Sequence, residues 1–452
     1  MSPLLNPRLW IIGLGIVILP LDSSVNVAFP FIAQAFDLPA SALRLVVVTY
    51  ILSAMTLLLI AGRMGDIWGY RRIFRLGLAI SVAALLLNAA APSYEFLLAA
   101  RIGQGIGVAL TLSCAPALVI GLFPDADRGK AIGAYAMIFA GSMAVGPIIG
   151  GWVIETWDWR AVFWYRAPLA AAALIGSVFI AERPAGKSRR FDVAGAILLG
   201  SAMALIFTSL NSIAASGATA AIAGAAGAGT FVYFIRHQLK SEAPLIDLGY
   251  FASWRFSGLT VSNVLLNLAA FSVMMVVPFY LGRAAGMDGG TIGYVLAAYA
   301  GGVAITAWTA GQLLGAPGGE DDVAPRLMRL SALMIGGGLW LVSQLGSGNS
   351  LWAVAGCIGI VGAGLGLYQA TFLYMVTGTL PPEDRGVAGS LAEMTRTMGN
   401  VSAATLMFEV FRTRRAADGF DAGFASTYTL AAGIAFVVLA VMLLAPIFHR
   451  RK

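Results

Sequence analysis

Long apolar stretches separated by short polar segments run along the whole chain. The apolar windows cover residues 9–31, 42–61, 73–91, 96–122, 131–154, 162–181, 193–210, 218–235, 256–281, 292–314, 327–345, 351–376, 387–411 and 427–448. Helices of roughly 20 residues cross a hydrocarbon core of about 30 Å, because each residue adds about 1.5 Å. The pattern therefore predicts an all-α polytopic membrane protein with fourteen transmembrane helices.

Composition supports a membrane protein. Hydrophobic residues make up 59% of the chain and charged residues 11%, whereas soluble domains carry about 25% charged residues. The net charge of +7 is spread over the short segments between windows, so it reports orientation and not a nucleic-acid partner. Cys114 and Cys357 both lie in apolar windows, which argues against disulfide or metal chemistry.

Basic residues are unevenly shared between the two sides of the membrane. With the N-terminus inside, the cytoplasmic segments carry most of the 29 Lys and Arg, which predicts that both termini are cytoplasmic. Arg412, Arg414 and Arg415 oppose this rule. Window 9–31 is too long for the apolar region of a signal peptide and has no convincing cleavage site, so we expect it to stay as a helix.

A short motif recurs at corresponding places in the two halves of the chain. Residues 124–131 read PDADRGKA and residues 381–388 read PPEDRGVA. Parallel repeats predict two six-helix bundles related by a pseudo-two-fold axis, with a substrate site between them near the midplane. The seventh and eighth windows are then an inserted pair, with Asp192 as the N-cap of the seventh helix. The predicted domains are residues 1–185, 186–250 and 251–452.

Residues 62–72, GRMGDIWGYRR, separate the second and third windows. Three glycines allow helix ends to approach closely, and Asp66 next to Arg71 and Arg72 supplies a fixed charge pair. We interpret the segment as a cytoplasmic gate, the alternative being a basic turn that only anchors topology. The candidate gate residues are Gly62, Gly65, Asp66, Gly69, Arg71, Arg72 and Arg128.

The same segment resembles the G-x-L-a-D-r-x-G-r-k signature of major facilitator superfamily transporters. Residues 21–30, LDSSVNVAFP, are similar to the first-helix signature of the fourteen-helix drug:proton antiporters in that superfamily, with Asp22, Asn26 and Pro30 matching. Residues 191–195 resemble the start of that family's inserted pair. The resemblance implies the major facilitator fold.

Asp22 is a carboxylate deep in an apolar window, where an unpaired charge costs several kcal/mol. It is a candidate for proton coupling, the alternative being a structural hydrogen bond to the fourth helix or to the backbone. Residues 101–107, RIGQGIG, resemble the family motif R-x-x-q-G-x-g. Arg101 would tune the coupling, or would only snorkel to the membrane surface. Gln104 is a candidate cavity residue.

Residues 141–151, GSMAVGPIIGG, resemble the helix 5 motif of the superfamily's antiporters. Gly141, Gly146, Pro147 and Gly150 would form a bent surface without side chains, on which another helix can slide. This motif favours antiport over symport. The alternative is ordinary packing of small residues.

Other polar residues lie within the windows. Glu393 and Arg396 share a helical face and form either a silent pair or, at Glu393, a second proton or cation site. Arg166 stands where the family usually has Asn; it would favour anionic or zwitterionic substrates at the outer mouth, or would snorkel. The candidate cavity residues are Asn26, Gln104, Asn263, Asn267, Tyr368, Gln369 and Arg396.

The resemblance implies a proton-coupled antiporter that exports amphipathic, drug-like compounds across the bacterial cytoplasmic membrane by alternating access. The partners would be a small-molecule substrate, protons and the lipid bilayer; we expect a monomer without a cofactor and leave a periplasmic adaptor open. The alternative is a dedicated exporter of a single metabolite or lipid. The sequence contains neither a phosphate-binding loop nor a catalytic constellation at a membrane face, so we do not expect an enzyme.

Overall fold

The computed structural model describes residues 6–38, 42–124, 127–181, 191–212, 216–284, 289–316, 323–346, 350–381 and 384–444, and none of these lies in a strand. The helices are α1 Pro7–Ile16, α2 Ser24–Ala35, α3 Leu43–Trp68, α4 Tyr70–Ala89, α5 Tyr94–Gly121, α6 Arg128–Thr156, α7 Ala161–Trp164, α8 Ala167–Gly176, α9 Val193–Ser212, α10 Gly217–Gln238, α11 Trp254–Ala284, α12 Gly289–Leu314, α13 Ala324–Ser343, α14 Leu351–Thr379, α15 Arg385–Ser402, α16 Phe408–Asp418 and α17 Phe420–Leu444.

Each predicted apolar window coincides with a helix or with a broken helix. The first window is broken into α1 and α2 by the 3-10 turn Pro20–Ser23, and the thirteenth is interrupted by a π-turn at Ala403–Met407. Among the described residues, nine helices are long and apolar enough to cross a membrane, or ten if the bent helix α6 counts as one span. The total of fourteen spans therefore stays a prediction.

The chain forms two compact units. The first comprises Met1–Leu122, Val145–Tyr250 and Leu380–Met394, and the second comprises Phe123–Ala144, Phe251–Thr379 and Thr395–Lys452. Helices α6 and α15 each contribute residues to both units. Parts of the recurring motif, residues 125–126 and 382–383, lie outside the described residues.

In the first unit, helix α5 packs tightly against α3 and α4. A Cβ atom at Gly105 would lie 2.5 Å from the carbonyl oxygen of Tyr50 in α3, and one at Gly107 would lie 2.9 Å from that of Gly77 in α4. Such contacts need residues without side chains, because close packing and not hydrophobic contrast holds helices together in lipid. The RIGQGIG stretch therefore places α5 at the centre of this unit.

In the second unit, α14 packs in the same way against α12. A Cβ atom at Gly362 would lie 2.0 Å from the carbonyl oxygen of Tyr299, and one at Gly366 would lie 2.2 Å from that of Val303. Within this unit, Gly133 of α6 also approaches Gly311 of α12, where an added Cβ would lie 2.7 Å from a backbone carbon. The abundant glycines of both units thus serve helix contact.

Candidate functional site

Asp22 lies in the 3-10 turn that breaks the first span. Pro20 begins the turn, and proline lacks the N–H that an uninterrupted helix would use. The Ser23 and Ser24 hydroxyls donate to the carbonyls of Pro20 and Leu21, at 2.8 and 2.7 Å. Broken helices of this kind build binding sites inside transporters, and this one presents a carboxylate.

The Asp22 carboxylate is clamped from two sides. Arg101 donates from Nη1 to Oδ1 and from Nη2 to Oδ2, at 2.7 and 2.8 Å, which is the strong two-point geometry of a guanidinium and a carboxylate. Arg166 Nη1 donates to Oδ1 at 2.6 Å, and Gln104 Nε2 donates to the same oxygen at 3.0 Å. We call Asp22, Arg101, Gln104 and Arg166 the carboxylate cluster.

Arg101 is held by helix α3 as well as by Asp22. Its Nε donates to the carbonyl of Val46 at 2.8 Å, and its guanidinium lies 4.3 Å from the centre of the Tyr50 ring. Gln104 accepts from Arg101 and from the Asn88 amide, at 2.9 and 3.1 Å. Arg101 is fully buried, so the alternative that it snorkels to the membrane surface is wrong. Arg101 and Gln104 both lie on α5, the helix of the fourth apolar window. The alternative role of Asp22, a structural hydrogen bond to that helix, therefore agrees with this geometry.

Arg166 is also fully buried, so the expectation of a snorkelling side chain at the outer mouth is wrong. Its Nε donates to the carbonyl of Val162 at 3.0 Å, and its Nη2 has no hydrogen-bond partner among the described residues. Asp22 is the acidic side chain that these two arginines share. The cluster therefore carries one more positive than negative charge.

The glycines predicted on helix α6 face the broken turn. A Cβ atom at Gly146 would lie 2.2 Å from Ser23 Oγ, and one at Gly150 would lie 2.7 Å from Ser24 Cβ. Gly141 differs, because an added Cβ there would meet nothing within 4 Å. Pro147 lies in the same helix. The smooth surface of α6 therefore lies directly against the segment that carries Asp22.

Asp66 lies near the C-terminal end of α3, whereas the carboxylate cluster contacts the N-terminal part of that helix. The Tyr70 hydroxyl donates to its Oδ1 at 2.7 Å. The backbone N–H groups of Gly386 and Val387, at the start of α15, donate to Oδ1 and Oδ2 at 2.8 and 3.2 Å. A carboxylate at a helix N-terminus satisfies free N–H groups and complements the helix dipole. Asp66 therefore caps α15.

The expected pairing of Asp66 with Arg71 or Arg72 is wrong. Arg71 Nη1 instead donates to the carbonyl of Ile180 at 2.9 Å, because the capping contacts turn the carboxylate towards α15. The buried ion pair at this end joins Arg63 to Asp384 at 3.0 Å, and the Tyr250 hydroxyl donates to the other oxygen of Asp384 at 3.0 Å.

Backbone geometry explains the glycines of the gate segment. Gly69 joins α3 to α4 with a φ of 99°, a conformation that glycine adopts without strain. A Cβ at Gly62 would lie 2.6 Å from the carbonyl oxygen of Gly386, and one at Gly65 would lie 2.8 Å from Cys114 Sγ. Arg128 belongs to the second unit, where it donates to Thr377 Oγ1 at 2.7 Å near the end of α14.

Several candidate cavity residues gather in the second unit. A cavity of about 30 Å³ is lined by Asn267, Gln369, Arg396 and aromatic and aliphatic side chains, with the Arg396 guanidinium 4.3 Å from the centre of the Phe139 ring. Gln369 Nε2 donates to Asn267 Oδ1 at 3.3 Å. This volume holds about two water molecules, well below the roughly 300 Å³ of a ligand pocket.

The remaining candidates lie elsewhere. Tyr368 is fully buried and shares a hydrogen bond with Ser262 at 2.8 Å, so it does not line that cavity. Asn263 donates to Thr395 Oγ1 at 2.7 Å. Glu393 is buried in the first unit and Asn26 is exposed on α2. Neither joins the carboxylate cluster in the described contacts.

The inserted pair begins at a second polar cluster. Asp192 accepts from the backbone N–H of Gly195 at 2.8 Å, which confirms it as the N-cap of α9. His237 Nε2 lies 2.9 Å from its Oδ1, and Gln238 donates to Oδ2 at 2.8 Å. Burial raises the pKa of Asp192, but these hydrogen bonds outweigh it and hold the pKa below its usual value. Phe191 contacts Trp68, at the end of α3, with ring centres 5.7 Å apart.

Sequence reasoning missed four contributors to these sites. Arg63, Tyr70 and Asp384 were not among the candidates, and Arg166 was assigned to the outer mouth. Arg63 and Tyr70 lie within the gate segment 62–72, and Asp384 lies in the recurring PPEDRGVA motif, so a signal existed for each. For Arg166 the signal was the unusual residue type at its position.

The comparisons with known proteins agree with this architecture. The family model of the Major Facilitator Superfamily matches residues 12–404. The chain is 26% identical over 407 residues to the riboflavin transporter RibZ of Clostridioides difficile, covering 89% of this chain and 87% of that protein. It is 30% identical over 426 residues to the tetracenomycin C resistance and export protein of Streptomyces glaucescens, covering 92% and 77%.

Among solved structures, the crystal structure of the human organic anion transporter MFSD10 has the same fold. Its TM-score is 0.70 at 15% identity, and the match covers 97% of this chain and 100% of that chain. At that identity the likeness concerns the fold alone. Together with the apolar helices and the family match, it leads to one conclusion: the chain belongs to the Major Facilitator Superfamily and is a multi-pass membrane transporter.

Proposed function

We propose that this transporter is a proton-coupled antiporter of the fourteen-helix drug:proton antiporter family. It exports amphipathic, drug-like compounds across the bacterial cytoplasmic membrane by alternating access, as a monomer with both termini in the cytoplasm. The two six-helix bundles and the inserted pair follow the division at residues 1–185, 186–250 and 251–452.

The carboxylate cluster is the observation that carries this proposal. It combines a carboxylate, two fully buried guanidinium groups and a helix break within one bundle. Protonating Asp22 would remove the one anion between two buried cations, and this changes the local charge balance by a full unit. Since buried charges act through a low dielectric, such a change biases the packing of the broken helix against α6.

Helix α6 provides the surface on which that bias acts. Gly146 and Gly150 lie against Ser23 and Ser24, on either side of which the broken helix continues. A helix without side chains at the contact can shift without steric obstruction. In this proposal the proton entering at Asp22 and the outward-moving substrate use the same broken span in alternation.

The inward proton gradient supplies the drive. A proton crossing a potential of 100 mV releases about 2.3 kcal/mol, to which the pH difference adds. The Asp66 cap on α15 and the Arg63–Asp384 pair act as a latch on the cytoplasmic side, opening once per cycle. Glu393 provides a second proton site in this cycle.

Purified protein in proteoliposomes tests the coupling. Ethidium serves as the transported probe and a trapped pH-sensitive dye as the proton reporter. We expect the wild type to accumulate ethidium against the ethidium gradient only when protons can flow down their own gradient in the opposite direction. Asp22→Asn should retain downhill ethidium flux and lose accumulation by at least about tenfold.

The matched control is Asp158→Asn, at an exposed acid of the loop before α7, and it should behave as the wild type does. Accumulation of ethidium by Asp22→Asn, driven by the same proton gradient, would remove Asp22 from the coupling role.

The alternative function is the export of one physiological metabolite or lipid by the same machinery. The similarity to a riboflavin transporter supports it, as does the replacement of the family's usual Asn by Arg166. Expression in a bacterial host that lacks its own efflux pumps separates the two functions. Protection against a broad panel of dyes and biocides supports drug export, whereas release of riboflavin without such protection supports the alternative.

A further inference from the structure

The carboxylate cluster contains more positive charge than one aspartate can balance. Arg101 alone satisfies Asp22 with two parallel hydrogen bonds, so the pair is complete without Arg166. Arg166 adds a second, fully buried cation to a region where an uncompensated charge is costly. A further anion beside Arg166 would neutralise this buried excess charge.

The contacts of Arg166 leave one of its donors unused. Its Nη1 donates to Asp22 Oδ1 and, at 3.4 Å, to the Ile18 carbonyl, and its Nε donates to the Val162 carbonyl. Its Nη2 is buried without a hydrogen-bond partner among the described residues. Leaving a buried charged donor unpaired is destabilising. A carboxylate that approached Arg166 would satisfy Nη1 and Nη2 together.

The cluster is not sealed on its Asp22 side. The Asp22 side chain keeps 12% of its surface accessible, while both arginines keep none. An anion that arrives beside Asp22 therefore meets Arg166 by displacing one oxygen contact. Asp22 stays bound to Arg101 during this exchange, so the exchange leaves neither charge unpaired.

We propose that Arg166 is a specificity-determining residue that binds the anionic group of those exported compounds that carry one, with a carboxylate as the fitting chemistry. The anion takes Arg166 from Asp22 in a two-point contact and brings the cluster to neutrality. This inference rests on the proposed export function in one respect, because the anion is taken to belong to the exported compound.

A pair of isosteric probes tests the inference on the purified protein in detergent. The probes are 1-naphthoate, which is anionic, and 1-naphthamide, which is neutral, and both are added at one fixed concentration of sodium chloride. Thermal unfolding is followed by tryptophan fluorescence. We expect naphthoate at ten times its Kd to raise the Tm of the wild type by about 1–3 °C, and naphthamide to leave it unchanged.

The variants locate the effect. Arg166→Met replaces the guanidinium by an apolar side chain and leaves the Asp22–Arg101 pair, which is neutral overall. We therefore expect the variant to fold and to lose the naphthoate shift. Arg166→Lys keeps the charge but loses the fork, so its shift should be smaller than that of the wild type. Arg160→Met, at a partly exposed arginine of the preceding loop, should keep the full shift.

Three outcomes would overturn the inference: equal shifts with the two probes, no shift with either probe, and a naphthoate shift that survives in Arg166→Met. Failure of the proposed function looks different. In that case ethidium accumulation would not respond to the proton gradient, while the preference of Arg166 for naphthoate over naphthamide would persist.

Discussion

Two carboxylates of the first unit, Asp22 and Asp66, lie near opposite ends of helix α3, and they are satisfied in opposite ways. Asp22 is held by two guanidinium groups, whereas the direct partners of Asp66 are a tyrosine hydroxyl and two backbone N–H groups. A cation partner makes a carboxylate part of a charge balance, while neutral donors make it a cap. The two sites therefore respond to different perturbations.

The distance between the sites is set by one helix. Val46, which accepts from Arg101, and Asp66 are both in α3, so the two sites are about 30 Å apart at 1.5 Å per residue. Direct electrostatic interaction weakens in proportion to that distance. The packing of α3 against α5, where Gly105 meets the backbone of Tyr50, offers a second route of coupling between the sites.

The largest expected effect on the free energy of unfolding comes from removing the Asp22 anion from the carboxylate cluster. Asp22→Asn leaves two buried guanidinium groups without an acid, and breaking a buried pair from one side costs about 3–5 kcal/mol. Arg166→Met should cost far less, because the Asp22–Arg101 pair remains. Unfolding of both purified variants in denaturant measures the difference. Equal destabilisation would mean that charge balance does not govern this site.

The second effect concerns the cap at Asp66. Asp66→Asn places an amide N–H group where Val387 needs an acceptor, and a buried unsatisfied donor costs about 1–3 kcal/mol. Tyr70→Phe removes one hydroxyl donor and should cost less, about 0.5–1.5 kcal/mol. Thermal unfolding of the two variants ranks them. If Tyr70→Phe were the more damaging, the backbone of α15 would not be the main partner of Asp66.

The third effect concerns the helix surface beside Asp22. A Cβ at Gly150 would lie 2.7–3.0 Å from the Cβ, Cα and carbonyl oxygen of Ser24, so Gly150→Ala should cost about 1–3 kcal/mol through overpacking and slow transport. A Cβ added at Gly141 would have no atom within 4 Å, so Gly141→Ala is the matched control. Transport rates in proteoliposomes compare the two, and equal rates would remove the α6 surface from the mechanism.

The smallest effect concerns the inserted pair, which contacts the end of α3 through Phe191 and Trp68. Because the folded pKa of Asp192 lies below its ordinary value of 3.8, its stabilising effect is complete above that value and is lost as the pH falls through the folded pKa. Asp192→Ala should therefore destabilise the protein by about 1 kcal/mol at neutral pH and by less in acid. A difference that grows on acidification would contradict this sign.

The motif-bearing residues could be predicted where their role is local. The capping position of Asp192, the helix that carries Arg101 and Gln104, and the glycine at Gly69 follow from nearest neighbours and from the membrane's demand for helices. The partners of Asp66 could not be predicted, because Gly386 lies 320 residues away and the charges of Arg71 and Arg72 gave a nearer, incorrect candidate.

The apolar windows and the unusual polar residues within them could be located from the sequence alone, because a hydrocarbon environment accepts only long apolar helices and makes each buried charge conspicuous. Which charges meet depends on how the helices pack. Asp22 and Arg166 are 144 residues apart, and Arg63 and Asp384 are 321 apart. In helices that are apolar on every side, periodicity does not identify the facing neighbour, so only the packing of the helices shows that Arg166 shares Asp22 with Arg101.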